Sequence, residues 1–348
     1  MDELMRQWDG ESVVVHPDRE TGAWIIIAIH SSRLGPATGG TRFKSYSDFH
    51  AALQDALRLS ASMTFKFALA GMPCGGGKAV ISVPPDLDPT KRADLLRRYG
   101  GLIHQLGGLY KTGPDVGTSP EDMDVIAETG APYVFCRTEA SGGAGSSAPP
   151  TALGVFHAIR VLAESLFGNS SLTDKRVAVQ GAGAVGGLVI EQLSAAGAKV
   201  TFTEVAPGLA SHYRAKPGLE YVAPEQIYDV ECDIFSPCAL GAVLNRENIG
   251  RLKCRGIAGA ANNQLATPED AELLRERGIV YAPDFVINIG GAVAITGMEL
   301  LGWPREEANR RVIQVVEQTL RQTLQLASEA RMTTDAAARQ IALARLNS

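Results

Sequence analysis

The segment KRVAVQGAGAVGGLVIEQLSAAGAKVTFTEV, residues 175–205, constrains the fold of this chain more than any other. Its pattern is that of a buried strand, a glycine turn, an amphipathic helix and a second strand, which together form a βαβ unit. Short apolar runs that follow, such as CDIFSPCAL and IVYAPDFVIN, indicate further parallel strands. The sequence therefore predicts an α/β chain with a doubly wound, Rossmann-type domain in its second half.

The glycines of this segment fit a dinucleotide-binding turn. Gly181 allows the tight turn, Gly183 lets the backbone approach a pyrophosphate, and Gly186 lets the helix pack on the strand. Ala184 and Val185 complete the loop, and the N-terminus of the following helix is suited to binding phosphate. Because strand and helix patterns flank the turn, we expect a nucleotide cofactor here.

Glu204 indicates which nucleotide this is. It closes the second strand of the unit, where an acidic side chain accepts hydrogen bonds from the adenosine ribose and repels a 2′-phosphate. Ala206, Pro207 and Gly208 follow, and they offer no arginine to a phosphate. NAD is therefore predicted in preference to NADP.

The first half of the chain carries a possible acid/base set. In MPCGGGKAVI, three glycines precede Lys78, which enters an apolar run where a lysine loses its proton more easily. Lys66 lies among apolar residues, where a cation needs a partner such as a substrate carboxylate. Asp115, within a Gly-Pro-Asp turn, is the third member. A solvated lysine in a glycine turn and a turn-forming aspartate are the alternatives.

Composition excludes several other classes of protein. The 348 residues suggest two domains, and a net charge of −5 without a basic patch argues against a nucleic-acid partner. The acidic N-terminus and the absence of a long apolar run predict a cytoplasmic protein that does not span a membrane. Five scattered cysteines and six scattered histidines predict no metal site.

The stretch RTEASGGAGSSAPP, from about residue 137, marks a flexible hinge between domains. We predict a substrate-binding and oligomerisation domain over residues 1–140 and a Rossmann domain over residues 150–324. The helical tail, about 325–348, is predicted to pack back on the first domain. Cofactor and substrate would then meet in an interdomain cleft.

Taken together, the motifs resemble the glutamate/leucine/phenylalanine/valine dehydrogenases over nearly the whole chain. The matching segments are LGPATGGTR, MPCGGGKAVI, TGPDVGTSPEDMD, GGAGSSA, CDIFSPCALGAV, AGAANNQLA and YAPDFVINIGGAV. The resemblance implies reversible, NAD-linked oxidative deamination of an L-amino acid to the 2-oxo acid and ammonia.

The resemblance also implies roles for individual residues. Lys66 would bind the substrate carboxylate, helped by an asparagine of AGAANNQLA, for which Asn263 is the better match and Asn262 remains open. Lys78 would activate water, and Asp115 would carry protons to and from the amino nitrogen. Residues lining the nicotinamide side would be Thr151, Ala239 and Asn288.

The predicted side-chain pocket is apolar and offers no cation to a second carboxylate, which disfavours glutamate. Its members are Gly39, Gly40, Met63, Pro114, Ala292, Ile295 and Thr296. Small residues leave room for an aromatic ring, and Trp303 with the WDGE and DRETGA segments resembles phenylalanine dehydrogenases. Phenylalanine is therefore the predicted substrate; leucine, valine or tryptophan is the alternative within the family, and Thr296 departs from an aliphatic wall.

Two other classes stay open. A non-catalytic sensor of NAD could use the same nucleotide turn, although it would not need both lysines and Asp115. A hydroxy-acid dehydrogenase usually relies on a histidine base, and no histidine here lies in a matching motif. By family analogy a homo-oligomer is expected.

Overall fold

In the computed structural model, which describes residues 2–347, the chain forms two compact units. Unit 1 contains the described residues of Met1–Ser146 and Ala342–Ser348, together with Ile295–Pro304. Unit 2 contains Ser147–Ala294 and Arg305–Ile341. The chain thus enters unit 2 after Ser146 and returns to unit 1 twice.

Unit 1 is built on a mixed five-stranded sheet with the order β1-β2-β4-β3-β5. The strands are β1 (Ser12–Asp18), β2 (Ala23–Ser31), β3 (Ala37–Lys44), β4 (Gly75–Ser82) and β5 (Tyr110–Pro114). β2 pairs antiparallel with β1 and β4, whereas β3 pairs parallel with β4 and β5. The centre of this sheet is therefore β4, the glycine-rich strand.

Helices cover both faces of this sheet, which explains why β2 is apolar at successive positions. The helices are α1 (Asp2–Trp8), α2 (Phe49–Ala70), α3 (Arg92–Gln105) and α4 (Pro120–Gly130), with 3₁₀ turns at Pro89–Lys91 and Glu139–Ser141. Ile25 and Ile27 pack in one core with residues of α3 and α4, while Ile26 packs with α1 and α2. Asp48 caps the start of α2, and Gly71 ends it with φ 63°.

Unit 2 contains the predicted doubly wound sheet, in which every pairing is parallel. Its strands are β6 (Arg176–Gln180), β7 (Lys199–Thr203), β8 (Leu219–Tyr221), β9 (Ile234–Pro237), β10 (Gly256–Ile257) and β11 (Val280–Tyr281). They lie in the order β11-β10-β9-β6-β7-β8. The order reverses between β6 and β9, which is where ligands bind in such sheets. The α/β fold class is confirmed.

The helices that follow α4 connect these strands or flank them. They are α5 (Ala148–Phe167), α6 (Gly186–Ala195), α7 (Pro207–Arg214), α8 (Arg246–Arg251), α9 (Glu269–Glu276), α10 (Asp284–Ile287), α11 (Gly290–Leu301), α12 (Arg305–Ala330) and α13 (Thr334–Leu346), with a 3₁₀ helix at Pro224–Asp229. The boundary between the units falls within α11 and again within α13.

The unit boundaries differ from the predicted ones in two places. Residues 295–304 belong to unit 1, and of the tail only residues 342–348 do so rather than 325–348. α12 stays in unit 2 because its apolar face packs along α5, where Val312 and Val316 are completely buried. A pattern of helical residues shows that a helix has an apolar face but not which neighbour covers it.

The glycine-rich stretch predicted to be a flexible hinge is held by hydrogen bonds within unit 1. The Glu299 carboxylate on α11 accepts from the backbone N–H of Cys136 at 3.0 Å and of Ala144 at 2.8 Å. Thr138 also donates its hydroxyl to Asp124 at 2.6 Å. The stretch before residue 146 is therefore anchored to α4 and α11.

One stretch, Asp284–Leu301, is long and apolar enough to cross a membrane by length and composition, contrary to the prediction that no apolar run is long enough. It includes two helices, α10 and α11, and 72% of it is buried inside the protein. Such burial is typical of a core helix.

Candidate active site

The three glycines of β4 are required by close packing within unit 1. A Cβ on Gly75 would overlap the carbonyl oxygen of Ser31, and one on Gly76 would overlap the backbone of Thr64 in α2. A Cβ on Gly77 would lie 2.8 Å from the Tyr110 ring. The backbone of β4 is therefore approached closely by α2 and by the neighbouring strands. Lys78 follows these glycines on β4, the central strand of the sheet.

Lys78 and Asp115 form a buried ion pair. The Lys78 side chain is 5% exposed, and its Nζ contacts Oδ2 of Asp115, which follows β5. Burial alone would raise the pKa of Asp115, but the positive charges of Lys78 and Arg42 outweigh it and hold that pKa well below its usual range. The predicted acid and base therefore stand in direct contact, with the aspartate ionised.

Arg42 is a third charged member of this cluster, which we did not predict as a site residue. On β3, it donates from Nε and Nη2 to Oδ1 of Asp115, both at 3.2 Å, and from Nη1 to Asp55 at 2.8 Å. The sequence placed Arg42 at the end of the LGPATGGTR motif, beside Gly39 and Gly40. Its place in that motif could have indicated that Arg42 belongs to the site, but it did not show which carboxylates the arginine would contact.

Lys66 is buried on α2, with 8% of its surface exposed, and α2 packs directly on β4. Gly39 and Met63 lie together, because a Cβ on Gly39 would be 3.4 Å from Met63 Cγ. Gly40 lies against the turn that carries the acid, since its Cβ would be 2.9 Å from the Cβ of Asp115 and 2.5 Å from the Pro114 oxygen. Unit 1 therefore brings Gly39 next to Met63 and Gly40 next to Pro114, along β3 and the 114–115 turn.

The absent side chains of Gly39 and Gly40 do not leave open space. A Cβ on Gly39 would overlap the carbonyl oxygen of Gly77, and the Cβ direction of Gly40 is filled by the 114–115 turn. These glycines are therefore needed for strand packing. The idea that they make room for an aromatic ring finds no support in this geometry.

The remaining pocket residues of unit 1 lie on α11. Ile295 packs with Phe135 and Cys136, and Thr296 is buried next to the Cys74 thiol. Burial raises the pKa of the Cys74 thiol, and the neighbouring Thr38 and Thr296 hydroxyls act in the opposite direction. The Thr296 hydroxyl thus lies beside the Cys74 thiol.

The glycine turn of unit 2 has the geometry of a dinucleotide site. Gly181 has φ 96°, and a Cβ on Gly186 would overlap the Gly181 oxygen and approach Cys238 Cβ at 3.0 Å. A Cβ on Gly183 would meet nothing within 4 Å, so this position faces open space. No side chain caps the start of α6 at Val185, and Ala184 is exposed. The residues therefore fit a pyrophosphate.

Glu204 is fixed beside this turn. Its Oε2 accepts from the backbone N–H of Ala182, and its Oε1 accepts from Val205 and Ala206, each at 2.8 Å. Three N–H donors hold the carboxylate in one orientation at the end of β7. The position fits contact with a ribose at the edge of the nucleotide turn.

A cluster of amides lies in the loops that follow β10 and β11. Asn288 donates from Nδ2 to Asn262 Oδ1 at 2.9 Å and to the Ala260 oxygen at 3.1 Å. Its buried Oδ1 has no hydrogen-bond partner in the described part of the chain. A buried acceptor without a donor is unfavourable, so this oxygen fits a donor on a bound ligand, such as a carboxamide.

The other predicted residues of unit 2 are placed as follows. Asn263 has φ 51°, and its N–H donates to Asp284 at 2.7 Å. The Thr151 hydroxyl accepts from the Gly291 N–H at 3.1 Å, next to the half-buried Ala292. Ala239 lies against the nucleotide turn, 2.7 Å from the position of a Cβ on Gly181. No metal-binding cluster of histidine, cysteine or carboxylate side chains occurs among residues 2–347.

Known proteins resemble the chain in both halves. Residues 14–131 match the model of the Glu/Leu/Phe/Val dehydrogenase dimerisation domain. Residues 142–208 and 202–348 match the model of the glutamate/leucine/phenylalanine/valine dehydrogenases. These matches cover most of the chain, and the two models occur in the order that the motifs predicted.

Similar proteins include enzymes for several amino acids. Leucine dehydrogenase of Thermoactinomyces intermedius is 44% identical, over 92% of this chain and 86% of that protein. Phenylalanine dehydrogenase of Lysinibacillus sphaericus is 39% identical, over 92% and 83%. L-tryptophan dehydrogenase of Nostoc punctiforme is 40% identical, over 99% and 96%. The crystal structure of the L-tryptophan dehydrogenase covers 100% of this chain and 98% of its own, with a TM-score of 0.81 and 38% identity.

The family's members are dehydrogenases that use NAD or NADP, which agrees with the nucleotide turn at Gly181–Gly186. The family models match most of the chain, and the relatives are 39–44% identical to it over at least 92% of its length, which is more similarity than a shared fold alone produces. The chain therefore belongs to the glutamate/leucine/phenylalanine/valine dehydrogenase family and is an amino acid dehydrogenase.

Proposed function

We propose that this chain catalyses the reversible, NAD-dependent oxidative deamination of a hydrophobic L-amino acid, with phenylalanine as the preferred substrate. The observation that carries the proposal is the buried Lys78–Asp115 ion pair, because it holds a base and a proton carrier in contact and shielded from water. A protein that only senses NAD has no need of this pair. The bound nicotinamide ring supplies the acceptor for the hydride that leaves the α-carbon.

Lys66 binds the substrate carboxylate in this proposal. A buried ammonium group attracts a carboxylate strongly, because few water molecules screen the two charges. Asn263 is the proposed second ligand of the carboxylate, and Asn262 is the alternative. Hydrogen bonds hold both residues in their loop, because Asn262 Oδ1 accepts from Asn288 and the Asn263 N–H donates to Asp284.

Lys78 acts as the general base that activates water for attack on the imino carbon. Asp115 accepts and returns the proton of the amino nitrogen as ammonia leaves. The two groups can exchange a proton directly, because Lys78 Nζ contacts Asp115 Oδ2. This coupling lets the same pair serve both directions of the reaction.

The choice of phenylalanine is supported by the apolar character of the predicted pocket residues Met63, Pro114 and Ile295, with the Thr296 hydroxyl beside the Cys74 thiol. Leucine is the second candidate, because a leucine dehydrogenase is 44% identical to this chain. NAD is proposed over NADP because Glu204 is held rigidly where a 2′-phosphate would meet its negative charge.

We also propose a cytoplasmic homo-oligomer. All five cysteines are free thiols, as expected in a reducing compartment. The family model that matches residues 14–131 is described as a dimerisation domain, and homo-oligomers are the usual assemblies of such enzymes.

The test is an initial-rate assay of NADH formation with L-phenylalanine, L-leucine, L-valine, L-tryptophan and L-glutamate, each at several concentrations. The expected result is the highest kcat/KM with phenylalanine, and loss of activity on all substrates in Lys78→Ala. A higher kcat/KM with leucine than with phenylalanine would show that leucine, not phenylalanine, is the preferred substrate. No activity with any of them, despite measurable NAD binding, would contradict the proposed function.

A further inference from the structure

Arg42 lies between two carboxylates within unit 1. It makes two hydrogen bonds of 3.2 Å to Oδ1 of Asp115 and one of 2.8 Å to Oδ2 of Asp55 on α2. Tyr46 donates to the same Asp55 oxygen at 2.7 Å, and Arg58 contacts the other at 3.1 Å. The side chains of Arg42, Asp55 and Asp115 are only 11–13% exposed, so water screens them weakly.

The two oxygens of Asp115 have different surroundings. Oδ1 accepts from Nε and Nη2 of Arg42 and from the Val116 N–H at 2.5 Å, whereas Oδ2 faces Lys78. The turn itself is rigid, because the Asp115 N–H donates to Thr118, whose hydroxyl donates to the Thr41 oxygen. Three donors leave Oδ1 little capacity for a proton, while Oδ2 lies next to Lys78, with which it can exchange a proton in the proposed reaction.

We propose that Arg42 is a positioning residue that occupies Oδ1 of Asp115 and reserves Oδ2 as the oxygen that exchanges protons, and that Asp55 anchors Arg42 and balances its charge. This inference rests on the proposed function, because it specifies how one member of the acid/base pair is held. A fixed carboxylate presents one lone pair to the reacting nitrogen, and a misplacement of about 1 Å costs roughly a hundredfold in rate.

Asp55 anchors Arg42 and balances its charge, for which it must be ionised. Burial opposes its ionisation, but the hydrogen bond from Tyr46 and the charge of Arg42 keep the pKa of Asp55 below its usual value. Burial and the Asp55 charge raise the pKa of Tyr46, so this phenol stays protonated and donates. With Asp55 ionised, the positive charge of Arg42 is shared between two carboxylates.

This sharing keeps Asp115 able to accept a proton. Without Asp55, Arg42 would stabilise the Asp115 anion more strongly and make it a weaker base; without Arg42, Asp115 would be protonated more easily but less well oriented. The titratable and charged groups that face this cluster are Lys78 on β4, Arg42 on β3, Tyr110 on β5, Tyr46 after β3, and Asp55 and Arg58 on α2.

The direct test is a carbon-13 NMR titration of aspartate side-chain carboxyls in the full chain, with Asp115→Asn to assign the signal. In Arg42→Gln the titration midpoint of Asp115 should rise by at least about one pH unit relative to the wild type, because one of its two neighbouring cations is lost. The matched control is Arg98→Gln, which removes a similar two-point contact to the buried Asp18 in the same unit. An Asp115 midpoint that does not move in Arg42→Gln would overturn the inference.

Kinetics supply a second readout and a second variant. Asp55→Asn keeps Arg42 in place, and should lower kcat roughly 10-fold, with the KM for the amino acid within about 3-fold, while the solvent deuterium isotope effect on kcat increases. Arg42→Lys should recover part of the activity lost in Arg42→Gln. A general loss of folding would lower the active fraction without changing the isotope effect, and an unchanged isotope effect in Asp55→Asn would count against the role of Asp55.

These experiments separate the inference from the proposed function. The NMR titration needs no turnover, so a protein that shows the midpoint shift but oxidises no amino acid would refute only the proposed reaction. A protein that deaminates amino acids, with an unchanged Asp115 midpoint in Arg42→Gln, would refute only the inference.

Discussion

The charged side chains of unit 1 are buried in groups in which opposite charges offset one another. Lys78, Asp115, Arg42 and Asp55 form a continuous series of contacts from β4 through β3 to α2. A buried charge without a partner would be costly, and removing one member leaves another uncompensated. Substitutions in this group should therefore affect both chemistry and folding, and each experiment must distinguish the two.

Separate roles for the two lysines make a prediction at the residue scale. Lys78→Ala should lower kcat by about 10²- to 10⁴-fold with a smaller change in KM, because it removes the general base. Lys66→Ala should mainly raise the KM for the amino acid, because it removes the carboxylate ligand. Steady-state kinetics of both variants, with circular dichroism to verify folding, would check this. Small and equal effects would remove the basis for both assignments.

In the proposed function, the preference for NAD over NADP depends on the carboxylate of Glu204. Glu204→Ser should raise the ratio of kcat/KM with NADP to kcat/KM with NAD by roughly tenfold, because the charge that repels a 2′-phosphate is lost. Glu220→Ser on β8, an exposed glutamate of the same sheet, is the control. If the ratio stayed the same in Glu204→Ser, another residue would have to select the cofactor.

At the scale of secondary structure, glycines without a side chain allow neighbouring elements to pack closely. β4 lies against α2 only because Gly76 has no side chain, and α6 lies against the β6 turn only because Gly186 has none. In the same turn Gly183 has open space on its side-chain face. Glycines that look alike in the sequence are therefore required for different physical reasons: close packing at Gly76 and Gly186, and open space for a ligand at Gly183.

This difference predicts opposite results for two substitutions in one turn. Gly186→Ala should destabilise the protein by about 1–3 kcal/mol, because the added Cβ overlaps the Gly181 oxygen. Gly183→Ala should leave thermal stability nearly unchanged and weaken NAD binding, because its Cβ enters the space for the pyrophosphate. Thermal unfolding and isothermal titration with NAD would measure both. Equal losses of stability would show that the turn is packed on both sides.

Much of the fold could be predicted from the sequence because its signals are local. The βαβ pattern and its glycines indicated the parallel sheet of unit 2. Lys78 and Asp115 were predicted as a set, although nothing local showed that they touch. The contacts of Arg42 with Asp55 and Asp115 join β3, α2 and β5, and such contacts depend on strand order.

At the scale of the whole molecule, each unit supplies one part of the proposed reaction. Unit 1 holds the acid/base pair and most of the predicted pocket, and unit 2 holds the nucleotide turn and the amide cluster of Asn262 and Asn288. Relatives that act on leucine, tryptophan and phenylalanine are about equally similar to the chain. Sequence similarity therefore establishes the family but does not distinguish between these substrates. The preferred amino acid depends on the residues that contact its side chain.

Acid stability is a property of the whole chain that Asp115 should influence. Because its pKa in the folded protein is lowered, Asp115 stabilises the fold above the pKa of about 3.9 that aspartate has in an unfolded chain. That stabilisation is lost as the pH falls through the lower folded value. In Asp115→Asn the free energy of unfolding should therefore depend less on pH below about pH 5. Urea unfolding between pH 6 and pH 3.5 measures this, with the exposed Asp86→Asn as control; identical slopes in wild type and Asp115→Asn would contradict it.

The measurement that tests the central claim most directly follows the α-hydrogen of the substrate. With L-phenylalanine deuterated at the α-carbon, the reduced cofactor should carry the deuterium, and one ammonia should be released for each NADH formed. Lys78→Ala should lose both signals together. Deuterium released to water, or NADH formed without ammonia, would contradict oxidative deamination by the Lys78–Asp115 pair.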